Sequence, residues 1–215
     1  GVVIASADFA DPAIMRLVMS EIPTVTLDYT FDSRTSILSD NVRGMEALVN
    51  YVYENGHRKL AFIHGELTSV TQKRIASFKK NCAALGITVP PEYVRAAVYH
   101  DPRSSGLATR ALLELPEWPT CIFYPDDLSF LGGMSELEKH GVSIPKDMSV
   151  VGYDGIPLSQ VLRPKLTTYK QGAERMGKEA ARLLVDQIEH PDTWLPQNIT
   201  VEGELLKGST VAKID

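Results

Sequence analysis

Residues 148–171, MSVVGYDGIPLSQVLRPKLTTYKQ, decide how the rest of the chain is read. A short apolar run (149–153) is followed by an acidic turn at Asp154-Gly155, a Pro-punctuated loop and an extended segment that leads into a helix. A continuous apolar run bounded by turn signals is what a strand covered on both faces requires. Asp-Gly is a favoured turn pair, and in open α/β sheets ligands bind beyond the carboxyl ends of the strands. The loop has the composition of a connection between two lobes. One stretch is therefore read both as part of a ligand site and as part of a hinge.

Working outward, the same alternation repeats in both directions. Downstream, 172–189 has helical spacing with Met176, Ala180, Leu184 and Ile188 inward, and 198–206 closes as a strand. Upstream, strands are predicted at 1–6, 23–27, 36–38, 59–64, 93–99 and 120–124. Helices are predicted at 11–20, from Asp40 or Asn41 to Gly56, and at 70–85, 104–115 and 128–140. Asp11 is a natural N-cap with Pro12 in the first turn. Val42, Met45, Val49 and Val52 share one helix face, and Gly56 stands where a left-handed residue ends that helix. Strands alternating with helices through mostly short connections predict an α/β fold with parallel sheets flanked by helices. The longer non-periodic stretches are 29–36, 155–165 and 191–197; the first two are read as passages between lobes.

The bulk properties exclude several classes. The chain has 215 residues, 44% hydrophobic and 23% charged, which is enough for a real core. Its net charge is −5, and no basic cluster exceeds His57-Arg58-Lys59, so this segment does not itself grip a phosphate backbone. No apolar run approaches the ~20 residues of a membrane span. Cys82 and Cys121 both fall at apolar positions and read as small core residues, which suits a reducing compartment.

Polar residues gather after the strands. Asp28, Asp101, Asp126, Asp127 and Asp154 each follow one, and Thr68, Ser69 and Arg74 follow the strand ending at His64. All can converge on one cleft. Each also has an ordinary role: Asp28 and Asp154 as turn residues, Asp101 before Pro102 as a helix cap, Asp126 or Asp127 as the cap of the next helix, and Arg74 as a solvated side chain. Several carboxylates with one arginine fork suit a neutral polyhydroxylated ligand, because carboxylates accept from hydroxyls and the fork donates to oxygens at fixed geometry. Such a set repels phosphate. Nucleophile elbows, P-loops and dinucleotide fingerprints are missing from the text. His57, His64, His100, His140 and His190 show no i, i+4 pairing for a metal. Neither catalysis nor a cofactor is expected.

The text resembles the effector-binding domain of LacI-type (lactose- and galactose-repressor-like) transcriptional regulators. Ser39-Asp40-Asn41, Gly44 and the run from Gly56 to Gly65 (GHRKLAFIHG) are similar to one block of that family. Arg74–Phe78, Pro119–Asp127 (PTCIFYPDD), Gly141–Asp147, Ser149–Asp154 and Pro164–Thr168 with Gln171 resemble further blocks in the same order. The resemblance implies a two-lobed, type I periplasmic-binding-protein-like fold with three crossing strands. The first lobe would comprise 1–38 and 169–197, and the second 39–168 and 198–215. It further implies that the first lobe is incomplete at its N-terminus and that a helix-turn-helix lies outside this chain.

Carried over residue by residue, the resemblance makes Asp28, Arg74, Asp101, Asp126, Asp154 and Gln171 effector contacts, with Asp127 structural. Ser77 stands where the family has Gly, Asp126 where many members have Asn, and Lys207 where they have Arg. Asp101-Pro102 puts no aromatic at the usual stacking place, which makes an aromatic base less expected than a sugar. The implied function is a cytoplasmic regulator's sensor, binding a sugar or polyol in the interlobe cleft and controlling operator DNA through the missing domain, as a homodimer; Leu131, Met134 and Leu162 are candidate dimer contacts, with plain core burial the equal alternative for each. A periplasmic sugar-binding protein of a transporter is the alternative. An enzyme on an α/β scaffold, or a regulator of another family with the same sensor, also remain open.

Overall fold

The computed structural model describes residues 1–7 and 9–214. The chain forms two compact units: Gly1–Asp40 with Gly172–Gly203, and Asn41–Gln171 with the segment from Glu204 onward. It passes from one unit to the other at 40–41, 171–172 and 203–204.

The smaller unit is a four-stranded parallel sheet in the order β1-β2-β3-β9, formed by β1 (Val2–Ile4), β2 (Thr24–Leu27), β3 (Thr35–Ser39) and β9 (Asn198–Val201). Between its strands run α1 (Pro12–Val18) and the long α7 (Ala173–Glu189). Asp11 caps α1 through Ala13 N–H at 2.7 Å, with Pro12 at the first position, as its sequence predicts. Met176, Ala180 and Leu183 recur at helical spacing and pack on Val25, Ile37 and Val201, the core of this unit.

The larger unit is a six-stranded sheet in the order β10-β8-β7-β6-β4-β5. Its strands are β4 (Leu60–His64), β5 (Val94–Ala96), β6 (Cys121–Phe123), β7 (Ser149–Asp154), β8 (Thr167–Lys170) and β10 (Glu204–Leu206). All pairs are parallel except β10 with β8. The helices are α2 (Asn41–Glu54), α3 (Ser69–Ala84), α4 (Pro102–Leu113), α5 (Asp127–Lys139) and the short α6 (Pro157–Val161). Alternate strand residues feed two cores. Leu60, Phe62, Cys121, Phe123, Val151 and Tyr153 meet Met45, Leu48, Val52, Phe78 and Cys82 of α2 and α3. Ala61, Ile63, Ile122 and Val150 meet Leu112, Phe130 and Leu137 of α4 and α5. Two-sided burial is the reason these strands read as unbroken apolar runs. Each fully buried large side chain stabilises by about 1.5–3 kcal/mol.

Gly56, at φ 94°, ends α2 as predicted, and His57 beyond it is buried between Thr120 Oγ1 (2.9 Å) and the Ala212 carbonyl (3.0 Å). Burial holds its pKa below the ordinary imidazole value. Met134 and Leu162 pack against the α4/α5 core. Three sequence expectations are corrected. The strand expected over 198–206 is two strands, β9 and β10, split at Glu202-Gly203 and belonging to different units. The loop expected at 155–165 contains α6, started by Pro157 at its first turn. The strand expected over 93–99 is only three residues long.

Candidate functional site

At the carboxyl end of the six-stranded sheet, a buried arginine is held from three sides. Arg74 lies in the second turn of α3, which Thr68 caps through Thr71 N–H at 3.2 Å. It is 4% exposed, so its expected alternative as a solvated side chain is excluded. Its Nε donates to Asn41 Oδ1 at 2.7 Å, its Nη1 donates to the Pro125 carbonyl at 3.0 Å, and its guanidinium lies 3.6 Å over the Tyr153 ring. Two directional bonds and a cation–π contact leave the fork almost no rotational freedom.

Asp154 is the last residue of β7 and has φ 99°, a backbone position that side-chain-bearing residues seldom take. Its carboxylate accepts from Gln171 Nε2, and its carbonyl accepts from Gln171 N–H at 3.2 Å. Burial raises its pKa. Arg74 and Gln171 pull it back, Asp126 adds to the rise, and His100 opposes it. Arg74, Asp126, Asp154, Gln171 and His100 are thus one electrostatic cluster.

Asp126 caps α5 and is 1% exposed. Its oxygens accept from Ser129 N–H (2.8 Å), Ser129 Oγ (2.7 Å) and His100 N–H (3.0 Å), and His100 Nδ1 stands 3.4 Å away. The structure therefore makes Asp126 the residue that holds His100, a side chain 61% exposed at φ 57°. Asp101 is the N-cap of α4, accepting from Arg103 N–H at 2.9 Å, and among the described residues no side-chain bond joins it to the cluster. Asp127 accepts from Thr168 Oγ1 (2.6 Å) and Ile156 N–H (2.9 Å).

In the four-stranded unit, Asp28 follows β2 at φ 57°. It accepts from Ser39 N–H at 2.7 Å and Ser39 Oγ at 3.1 Å. Beside it, Phe9, Tyr29 and Phe31 form a partly exposed triad of rings, with centroids 4.2, 5.3 and 4.9 Å apart. Among the described residues, non-glycine positions with positive φ are Ser6, Asp28, His100 and Asp154, and all follow or end strands of the two sheets. Strain concentrated at such ends is a mark of functional loops.

Sequence reasoning missed Asn41, His100, Tyr153 and the ring triad. The Tyr29-x-Phe31 pair next to Asp28 was visible, but Phe9 reaches it only through sheet order. Among the described residues no His/Cys/Asp/Glu group is arranged to hold a metal ion, and no helix is long and apolar enough to cross a membrane.

The periplasmic binding protein-like domain model matches residues 49–211. The HTH-type transcriptional repressor PurR of Haemophilus influenzae (strain PittEE) is 32% identical over 199 residues, which is 91% of this chain and 59% of that repressor. The chain thus spans a little over half the length of this curated relative. Among solved structures, the complex of the transcriptional regulator CelR with cellobiose aligns at TM-score 0.89 and 27% identity, over 98% of this chain and 65% of that one. A LacI family regulator from Enterococcus faecium with bound ribose aligns at TM-score 0.81 and 25% identity, over 90% and 72%. The chain belongs to the periplasmic binding protein-like domain family, as an effector-binding domain of the LacI type.

Proposed function

We propose that this domain senses a neutral sugar or polyol through Arg74 and Asp154, and that occupancy controls DNA binding by heads outside this chain. The observation that carries the ligand class is the fixed guanidinium beside a carboxylate held at positive φ. A vicinal diol matches both: its oxygens accept from the fork while its hydroxyl protons are donated to the carboxylate. His100 stands next to them as a further contact, and Gln171 orients Asp154. Asp126 acts behind His100, and Asp101 only ends a helix. In the smaller unit, Asp28 and the faces of Tyr29 and Phe31 are proposed contacts, since ring faces suit the C–H faces of sugars.

Two solved relatives hold cellobiose and ribose, and that supports the sugar class. The repressor similarity supports a regulator over a transporter's binding protein. On this reading the regulator works in the cytoplasm as a homodimer, with the effector shifting populations between states of different DNA affinity.

Calorimetric titration of the chain with cellobiose, D-ribose, a linear polyol and a nucleobase tests the reading. Heat from one of the first three, lost in Asp154→Asn, is the expected result. Binding of the nucleobase alone refutes the ligand class, and an unchanged affinity in Asp154→Asn refutes the site.

A further inference from the structure

Asp126 and Asp127 are neighbours, yet they serve different parts of the unit. Asp126 turns to its own helix and to His100. Asp127, the first residue of α5, faces the opposite neighbours and is 1% exposed. Its Oδ1 accepts from Thr168 Oγ1 on β8 at 2.6 Å, and its Oδ2 accepts from Ile156 N–H at 2.9 Å. Gly152 on β7 permits this approach, because a Cβ there would collide with Asp127 Oδ1 and press on the Leu166 side chain. One carboxylate therefore joins α5, the turn after β7 and the strand β8. That turn carries Asp154 at its first position, and β8 leads directly to Gln171, the partner of Asp154.

We propose that Asp127 is the positioning residue of the effector-facing turn, and that its gain or loss of one proton changes how firmly Asp154 is presented. The proposal rests on the reading of Asp154 as an effector contact.

Both hydrogen bonds are donated to Asp127, so both are strongest when it is ionised. Burial opposes that charge and pushes the group up to about 7, while the Thr168 and Ile156 bonds pull it down and the Asp154 charge raises it further. The charged group facing it is Asp154, from the β7 turn; β8 presents the Thr168 hydroxyl, and α6 the Ser159 hydroxyl. Lys170, at the end of β8, is exposed and paired with Glu204 at 3.2 Å. The working range of the clamp is therefore neutrality. Above it, a full charge grips Ile156 N–H and Thr168; below it, the neutral carboxyl grips both less. Effector affinity is expected to rise as pH climbs through about 7. Stability runs the other way: the folded state keeps this proton up to about 7 and the unfolded chain releases it near 3.8, so raising pH between those values removes stability.

The test follows the backbone amide resonance of Ile156 in the ligand-free chain from about pH 5 to about pH 9, in wild type, Asp127→Asn and Thr168→Val. In wild type the resonance is expected to step with a midpoint near neutrality. The step disappears in Asp127→Asn, and its midpoint rises in Thr168→Val, which loses a bond that favours the charge. A wild-type resonance without a step, or the same step in Asp127→Asn, overturns the proposal. Should Asp127→Asn fold poorly, an unmoved midpoint in Thr168→Val overturns it as well. D-ribose titrated at the two ends of that range is expected to bind several-fold tighter at the alkaline end in wild type, with the difference lost in Asp127→Asn; an equal difference in both proteins overturns the link to presentation. Absence of ribose binding to every protein, with the amide step intact, counts against the sugar-site reading and leaves the clamp standing.

Discussion

The carboxyl ends of the two sheets are built from different chemistry. On the six-stranded sheet, an arginine, three aspartates, a glutamine and a histidine are fixed by directed bonds. On the four-stranded sheet, the same edge has one aspartate tied to Ser39 and three aromatic rings packed on one another. On the proposed reading, the first arrangement would fix where a ligand's oxygens lie, whereas the second offers apolar surface with far looser geometric demands. Specificity is thus expected to reside in the larger unit, with the smaller contributing affinity of a less selective kind.

Four substitutions break or sharpen this contrast. Arg74→Ala is expected to do most, because it strips the partners from Asn41 and the Pro125 carbonyl and exposes Asp154 to an unopposed negative field; affinity for the best sugar should fall by about 3 kcal/mol or more, with melting also lowered. Asp154→Asn keeps the shape and removes the charge, so a loss of about 1.5–3 kcal/mol in binding, with little change in melting, is expected by calorimetry. Tyr29→Ala should cost about 0.5–1.5 kcal/mol and do so nearly equally for several sugars, which a parallel titration of cellobiose and ribose would reveal. Asp101→Ala should leave affinity untouched and lower stability by about 1 kcal/mol, the ordinary loss of a helix cap. A sugar preference that changed with Tyr29 and not with Asp154 would reverse the contrast.

Much of the fold was legible because the strands of the larger unit are covered on both faces. Runs such as 60–63 and 150–153 then stand out as apolar text. The ends of helices were legible where a single residue forces them, as at Asp11-Pro12 and Gly56. The split of 198–206 was hidden, since both halves have strand composition and only pairing assigns β9 to β3 and β10 to β8. At the site, Arg74, Asp154 and Gln171 carried a motif-level signal. Which aspartates share their neighbourhood did not, because that depends on the strand order β7-β6-β4-β5, which no local spacing encodes. Asp126 is the instructive case. In sequence it is either an effector acceptor or the cap of the next helix; in space its oxygens serve Ser129 at that cap and also His100, which no spacing announces.

The chain's two cysteines both lie in the larger unit, in the core that α2 and α3 make with the sheet. Burial pushes the Cys82 thiol up to about 12 and that of Cys121 well above its ordinary value. Since the thiolate is the reactive form, neither should take up a maleimide or an aromatic disulfide while this core stays closed. Labelling speed then works as a stopwatch for transient opening of one unit, blind to the other, which has no cysteine. Run with and without saturating sugar, that stopwatch would read how far occupancy slows the breathing of the larger unit, with no fluorophore, tag or substitution introduced.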